Sequence, residues 1–439
     1  LLGQSWFAEE FRAAGHEVLS LGFAKHLDVK VRVPGLSIRT ALEEAGKVFE
    51  PDVIVFWDNS APLAVSGLEE YDVPFLLYSI DTHHHAHLHQ YLSIFADETW
   101  VAHKDYLQCF KDVNRPASWV PLWASRPAAP AEKKEYGAVF VGTLKRHLNP
   151  ERVDFFEALQ KKTPILVMQG DWVEIFTKSE IVVNQTVKGD LNFRVFEAMM
   201  SGAMLLTEKS GNGLYDLFED KKHLVSYTKN DVDDAAEKIN NYLNHQDEMR
   251  EIARTGREEV VKHHSIEAKA AWFLERIENA QKDQTKRSKN FSLAINYSVL
   301  ARQVSHLSTE AEAVCLKEVL RLAVNAVNAG EEVNKDVLFN VISSALVFDM
   351  YTQVQEGASV IGMLKDIEGE TQVVKMVQIR NLLNCGKIEE AKQIAEQIIP
   401  GASSELFKEA DKAVFSILDE RSKILETQNL GIENPATIK

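Results

Sequence analysis

The chain has 439 residues, 45% of them hydrophobic, and a net charge of −16. At about 150 residues per domain this length allows roughly three packed domains. The acidic balance argues against the broad basic face that nucleic-acid phosphates or anionic lipid require. Cys109, Cys315 and Cys385 have the spacing of neither a disulfide framework nor a zinc site, and a reducing cytoplasm is the expected compartment. No apolar run reaches bilayer length. Leu1 and Leu2 read as the end of a strand, which predicts further chain before them and leaves room for a targeting segment.

The first 125 residues read as an α/β domain. Leu1 and Leu2 lead through Gly3 into a helix marked by Trp6, Phe7, Phe11 and Ala14, then a strand over His16–Leu21. A helix on Ile38, Leu42, Ala45 and Phe49 follows. Strands are expected at Asp52–Trp57 (closed by Asp58, Asn59 and Ser60), Pro74–Ile80, Thr99–Ala102 and Trp119–Val120. Strands alternating with helices predict a parallel sheet, which binds ligands beyond its carboxyl ends. Only one glycine stands in the first turn, so no dinucleotide fingerprint is present.

After Ile80 comes Asp81-Thr82-His83-His84-His85-Ala86-His87-Leu88-His89, read as a loop. Three readings stand open. It can serve catalysis or the acceptor, with Asp81 orienting His83 or His85 as a general base. His83/His87 and His85/His89 have the four-residue spacing of helical metal ligands, although no remote ligand is evident. It can also be a solvated polar loop.

Residues 126–136 read as a linker and 137–280 as a second α/β domain. Ala138–Val141 is a strand that ends in Gly142-Thr143, with Lys145, Arg146 and Arg152 following. A glycine at a strand end lets backbone amides approach a phosphate that basic side chains neutralise; an ordinary turn with solvated bases is the alternative. Strands follow at Ile165–Met168, Ile181–Val183, Ala203–Leu206 and Leu224–Tyr227. Between the middle two, Asn192 opens a helix carrying Phe193, Phe196 and Met200, and Gly202 ends it. Arg194 and Glu197 share one face of that helix, either as a phosphate-seeking and a hydroxyl-seeking group or as a plain helical ion pair. Lys209–Gly213 reads as a flexible loop. Asp231 is the expected N-cap of Val232–Leu243, and helices over Met249–Val261 and Ile266–Ile277 complete the domain.

Glu197-Ala198-Met199-Met200-Ser201-Gly202, followed by Ala203–Thr207, resembles the Glu-Ala-Met-Ala-x-Gly segment of group 1 glycosyltransferases. Asn192, Arg194, Phe196, Glu197, Leu217-Phe218-Glu219, Tyr227, Phe140–Thr143 and Val120-Pro121 resemble the bacterial spore-maturation glycosyltransferase-like family. The resemblance covers about residues 1–280. It implies two Rossmann-like domains in the GT-B arrangement and a nucleotide-diphosphate sugar as donor, with UDP or GDP expected and no cofactor required. It further implies that Asn192, Arg194 and Glu197 bind the donor: Glu197 holds the ribose, and Arg194, with Arg146 or Arg152, takes the diphosphate, which Gly142 and Thr143 let the backbone approach. Asp81, His83 and His85 would face them with catalytic roles. One departure stands out: many group 1 enzymes carry a second glutamate eight residues before the one matching Glu197, and here that place is Gly189, beside Asp190.

Residues 281–290 read as a second linker and 291–439 as an all-α, helical-repeat-like domain. Its helix candidates are Ala311–Asn328, Lys335–Phe348, Tyr351–Leu364, Thr371–Asn384, Ile388–Ile398 and Ser404–Lys423. Leu382–Ala391 resembles a tetratricopeptide turn, without a clean repeat period. This region is expected to bind a protein partner or to dimerise. The function expected of the whole is sugar transfer to an acceptor hydroxyl on a protein or glycan. A nucleotide-sugar epimerase of the same architecture, or a degenerate transferase serving as a scaffold, are the alternatives.

Overall fold

The computed structural model describes residues 1–58, 60–283, 289–305, 308–333, 335–352 and 356–368, with isolated positions from there to 394. It divides into two compact units. One comprises Leu1–Lys30, Ala41–Ala61 and Asp72–Gln284; the other comprises Val31–Thr40, Pro62–Tyr71 and Thr285–Lys439. The linear division read from sequence does not contain the two early segments of the second unit. Among the described residues no helix is long and apolar enough to cross a membrane.

In order, the first part of the chain forms α1 (Ala8–Ala13), β1 (Leu21–Gly22), β2 (Val29–Lys30), α2 (Ile38–Glu44), β3 (Ile54–Trp57), β4 (Phe75–Ser79), α3 (Thr82–Phe95), β5 (Glu98–Val101), α4 (Leu107–Asp112) and β6 (Ser118–Trp119). Leu2 bridges Leu21 on one side and Phe56 on the other, both parallel. The sheet therefore runs β2–β1–Leu2–β3–β4–β5–β6, wholly parallel. Its order reverses between Leu2 and β3. The strand expected over His16–Leu21 begins only at Leu21. The backbone N–H and hydroxyl of Ser20 both donate to Asp28 Oδ2, at 2.8 and 2.7 Å, and such local side-chain bonds compete with a ladder.

The next part forms β7 (Tyr136–Val141), α5 (Pro150–Leu159), β8 (Ile165–Met168), α6 (Trp172–Phe176), β9 (Ser179–Asn184), α7 (Phe193–Met200), β10 (Met204–Glu208), α8 (Leu214–Leu217), β11 (Val225–Tyr227), α9 (Val232–Asn244), α10 (Gln246–His263) and α11 (Ile266–Glu278). The second parallel sheet has the order β11–β10–β9–β7–β8. Its direction reverses at β7 and β9, the switch point where such sheets bind ligands. Both faces are covered, as parallel sheets require. Val139, Val141, Val182 and Leu205 enter one core cluster. Ala138, Phe140, Ile181, Val183, Met204 and Leu206 enter the other. Asp231 caps α9 by accepting from the N–H groups of Asp233 and Asp234, as its position predicts.

The first cluster also contains Val55, Trp57, Leu76, Tyr78 and Trp100 of the first sheet, so one core joins both sheets. Phe273 of α11 sits at its centre, with ring centroids 4.9–6.0 Å from those of Phe7, Trp57, Tyr78, Trp100 and Trp123. α11 thus follows the second sheet in sequence and packs its aromatic face on the first.

The second unit contains α12 (Lys289–Val304), α13 (Thr309–Asn328), α14 (Lys335–Thr352) and α15 (Glu356–Glu368). Sequence periodicity missed α12 because it is buried on all sides: Phe291, Leu293, Ile295, Tyr297 and Leu300 are inside, and so are Ser292, Asn296 and Ser298. A helix without a polar face leaves no amphipathic stripe. Tyr351 and Thr352 belong to α14 rather than to the helix expected from Tyr351, which here begins at Glu356. Most of Thr371–Asn384 and Ile388–Ile398, all of Ser404–Lys423, and half of the tetratricopeptide-like turn lie outside the described residues.

Residues 62–71 complete this unit. The Asn296 side chain acts as a strand partner for Leu63, accepting from its N–H (3.2 Å) and donating to its C=O (2.8 Å). Tyr297 donates to Val65 O at 2.6 Å, and Arg321 pairs with Glu69 and Glu318. Asn296→Ala should strip both backbone groups of Leu63 of their partners and cost about 2–6 kcal/mol, at roughly 1–3 kcal/mol for each buried group left unpaired. Urea unfolding checks this, and an unchanged midpoint would mean that the pairing contributes nothing.

Candidate functional site

The switch point of the second sheet sets the carboxyl ends of β7 and β9 side by side, and Arg194 closes them. Its Nε donates to Val141 O at 3.1 Å and its Nη1 to Asn184 Oδ1 at 2.7 Å. Its guanidinium lies 4.7 Å from the centroid of the Phe140 ring. Gly142 makes room for it, since a Cβ there would sit 2.7 Å from Nη2. Thr143, next in the turn, is exposed. Arg152 of α5 approaches the same ring at 5.8 Å and donates to Gln185 through Nε and Nη2. Burial, then Arg152, brings the Arg194 pKa down to about 10 against the pull of Glu197 and Asp190. The group remains a cation at neutral pH. Two half-dehydrated guanidiniums at one strand-end crevice make a site for a multiply charged anion.

Arg146 is not in this cluster. It is exposed, and its guanidinium is engaged by Asp154 and Glu157 on the outside of α5. Those carboxylates lie eight and eleven residues on and satisfy it locally.

Arg194 and Glu197 do not pair with one another, which removes the plain helical ion pair. Glu197 instead accepts from the Ser125 hydroxyl. Burial pushes its pKa up, and the Ser125 bond, Arg194 and Arg126 pull it down. Arg126 binds both oxygens of Asp171 and lies 5.2 Å from the Trp172 ring. Asn192 stands at the N-cap of α7 without capping it; its Nδ2 approaches Asp190 Oδ1 at 3.5 Å, and its Oδ1 is buried without a partner. Asp190 is turned into its own loop, accepts from Val187 N–H at 2.6 Å, and is raised by burial to about 6. Gly189 has φ +76° with open space around it, so it serves the turn rather than a close approach.

In the first sheet, the polar run after β4 is a helix and not a loop. His83, His84 and His85 occupy the first turn of α3, where Asp81 O accepts from the N–H groups of His84 (2.9 Å) and His85 (3.1 Å) and Leu88, Leu92 and Phe95 supply a buried stripe. Asp81 does not orient a histidine: it accepts from the Ser60 hydroxyl. The carboxylate beside the imidazoles is Asp58, a residue that sequence reading left outside the site. It is 2% exposed, accepts from the N–H groups of Ser60 and Asp81 (each 2.8 Å), and lies 3.8 Å from His89 Nδ1. Burial and Asp58 raise Asp81 to about 6.

The histidines are held neutral. Burial first, then mutual repulsion, lowers His83 to about 3 and His89 likewise. His85 falls to about 4 against the pull of Asp58. His103, found only in the structure, stacks on His83 with centroids 4.9 Å apart and planes 11° apart, and also falls to about 4. Lys188, from the β9–α7 loop, is near enough to depress His83 and His84. The histidine turn and that loop therefore face one another. His83 Nδ1 is buried and unpaired. Among the described residues no group of three or more His, Cys, Asp or Glu side chains is placed to hold a metal ion.

Residues 132–275 match the family model described as glycosyl transferase-like. The match is to a glycosyltransferase-like domain. It spans β7 to α11 and contains Arg152, Arg194 and Glu197. Among solved structures, the chain is similar to a glycosyltransferase of Rickettsia africae (12% identical, TM-score 0.47, covering 65% of this chain and 98% of that one). It is also similar to HepE of Anabaena in complex with UDP-glucose (13%, 0.43, 62% and 98%) and to sucrose-phosphate synthase of Thermosynechococcus elongatus (13%, 0.48, 62% and 90%). No curated protein matches the chain.

The neutral histidines set a pH dependence. Between the ordinary histidine value of 6.5 and the lowered values of 3 to 4, the unfolded chain binds protons that the folded chain refuses, so stability falls as pH falls through this window. Asp81 and Asp190, raised to about 6, act in the opposite sense. Going from pH 7 to pH 4.5 should therefore lower the melting temperature more in the wild-type chain than in a His83→Asn/His103→Asn variant. Equal losses in thermal scans would show that these rings are protonated when folded.

Proposed function

We propose that the chain transfers a sugar from a nucleotide-diphosphate donor to an acceptor hydroxyl, its two parallel sheets forming the halves of a GT-B enzyme. The observation that carries this reading is the pair of guanidiniums, Arg152 and Arg194, at the β7/β9 switch point, with Glu197 near Arg194 but hydrogen-bonded to Ser125 instead. Gly142 and Thr143 lead the backbone past the diphosphate, Asn192 offers its buried, unpaired Oδ1, and Glu197 accepts from the ribose hydroxyls. Arg146 takes part only by leaving Asp154 and Glu157. Within the glycosyltransferases we place the chain nearest the spore-maturation-like group, on Asn192, Arg194, Phe196, Glu197 and Tyr227.

In the reaction, the acceptor oxygen forms a bond to the anomeric carbon as the bond from that carbon to the diphosphate oxygen breaks. The electron pair leaves with the nucleoside diphosphate, whose growing charge meets Arg194 and Arg152. The acceptor proton passes to His83 or His85, which are neutral at working pH and can accept it. An anionic donor opposite Lys188 offsets the charge that depresses His83 and so strengthens it as a base. Asp58 and Asp81 hold the start of α3. Charge neutralisation by guanidinium asks for no metal, UDP or GDP is the expected carrier, and a protein or glycan is the expected acceptor.

Calorimetric titration of UDP, GDP, ADP and TDP, with and without a divalent metal, tests the reading. One of them should bind selectively. Glu197→Ala should then cost about 1.5–3 kcal/mol of affinity, the worth of a hydrogen bond to a charged group. No binding by any of the four would defeat the proposal. A second prediction concerns the base: the His83→Ala/His85→Ala variant should still bind the nucleotide while donor consumption falls by about 10²-fold or more. Full turnover in that variant would remove the histidines from the chemistry.

A further inference from the structure

The loop Lys209–Gly213, read from sequence as flexible, is clamped. Asn212 is 3% exposed and has φ +53°, a left-handed conformation that asparagine tolerates better than most residues. Its backbone N–H donates to Asp105 Oδ2 (3.0 Å), its Oδ1 accepts from Asp105 N–H (3.2 Å), and its Nδ2 donates to Gly189 O (2.8 Å). The flanking glycines permit the approach: a Cβ on Gly211 would lie 2.4 Å from Asp105 Oδ2, and one on Gly213 2.2 Å from the Trp119 ring. Lys104 adds an ion pair with Asp216 at 2.7 Å and lies 5.1 Å from the Trp119 ring centroid.

These bonds join two segments that matter. Asp105 lies two residues after His103, whose ring stacks on His83. Gly189 belongs to the β9–α7 loop, between Lys188 and Asp190. We infer that Asn212 is a positioning residue, which fixes the β9–α7 loop against the His103–Asp105 segment and so sets the spacing between Lys188 and the histidine turn. It touches no reacting atom. Its effect on the donor rests on the proposed transferase reading; its effect on geometry does not.

Asn212→Gly in the full chain is the decisive variant, because glycine keeps the positive φ without strain and removes both side-chain bonds. The first readout needs no ligand. His84 is depressed by burial and then by Lys188, with the His83, His85 and His103 rings around it, and its titration midpoint is followed by NMR. In Asn212→Gly that midpoint should rise toward the ordinary histidine value as Lys188 moves away, while His89, on which Lys188 does not act, stays as it is in the wild-type chain. General destabilisation would not single out one ring. The second readout is affinity for the nucleoside diphosphate that the wild-type chain binds, which should weaken by about three- to tenfold, the loss of one or two ordinary hydrogen bonds.

An unchanged His84 titration, or an unchanged affinity, in a folded variant overturns the assignment. If the wild-type chain binds no nucleotide, the transferase reading fails and the His84 titration alone decides the role of Asn212. Should Asn212→Gly not fold, Asn212→Ser, whose shorter side chain cannot reach Gly189 O while meeting Asp105, carries the same test.

Discussion

The Arg194 guanidinium, held between a strand-end carbonyl and a buried amide, is the constraint on which the second sheet's ligand edge depends. Bonding to Val141 and Asn184 ties β7 to β9 at the one place where the sheet reverses direction. The contact uses two donors and forms no ion pair, because neither hydrogen-bond partner is an anion, and Glu197 and Asp190 act on the cation only through space. A cation kept this way is pre-organised: it needs no reorientation to meet an incoming anion, and it gives up no ion pair. Gly142, Phe140 and Arg152 follow from it as the space, the ring and the second charge that this placement requires.

The opposite edge works by withholding charge. Four imidazoles at and around the start of α3 are held neutral by burial first and by one another's proximity second, and Asp58 sits beside them, itself pushed up by burial. One edge thus presents fixed positive charge and the other fixed neutral acceptors. That asymmetry is what group transfer from an anionic leaving group to a neutral hydroxyl requires.

How much of this was legible in the sequence depends on range. Most strands announce themselves, because β-branched runs buried on both faces leave continuous apolar stretches, and Gly202 and Asp231 mark helix ends by local chemistry. Arg194 and Glu197 were visible because their spacing is local. Asp58, His103, Ser125 and Asn212 were not, since each acts through a partner distant in the chain: Ser125 meets Glu197 72 residues on, and Asn212 meets Asp105 107 residues back. The histidine run reads as a loop because its polar composition masks the buried stripe of Leu88, Leu92 and Phe95. α12 was overlooked for the opposite reason, having no polar face to set its period.

Asn296 and Leu63 are 233 residues apart, and this separation bears on the order of events during synthesis. A ribosome delivers residues 62–71 long before α12 exists, so their backbone groups wait, hydrated or mispaired, while both sheets are being made. Contacts of such separation close late and slow folding, and domains emerging first are exposed until their partners arrive. A stall or break before α12 would leave a product whose early loops have no interior to enter.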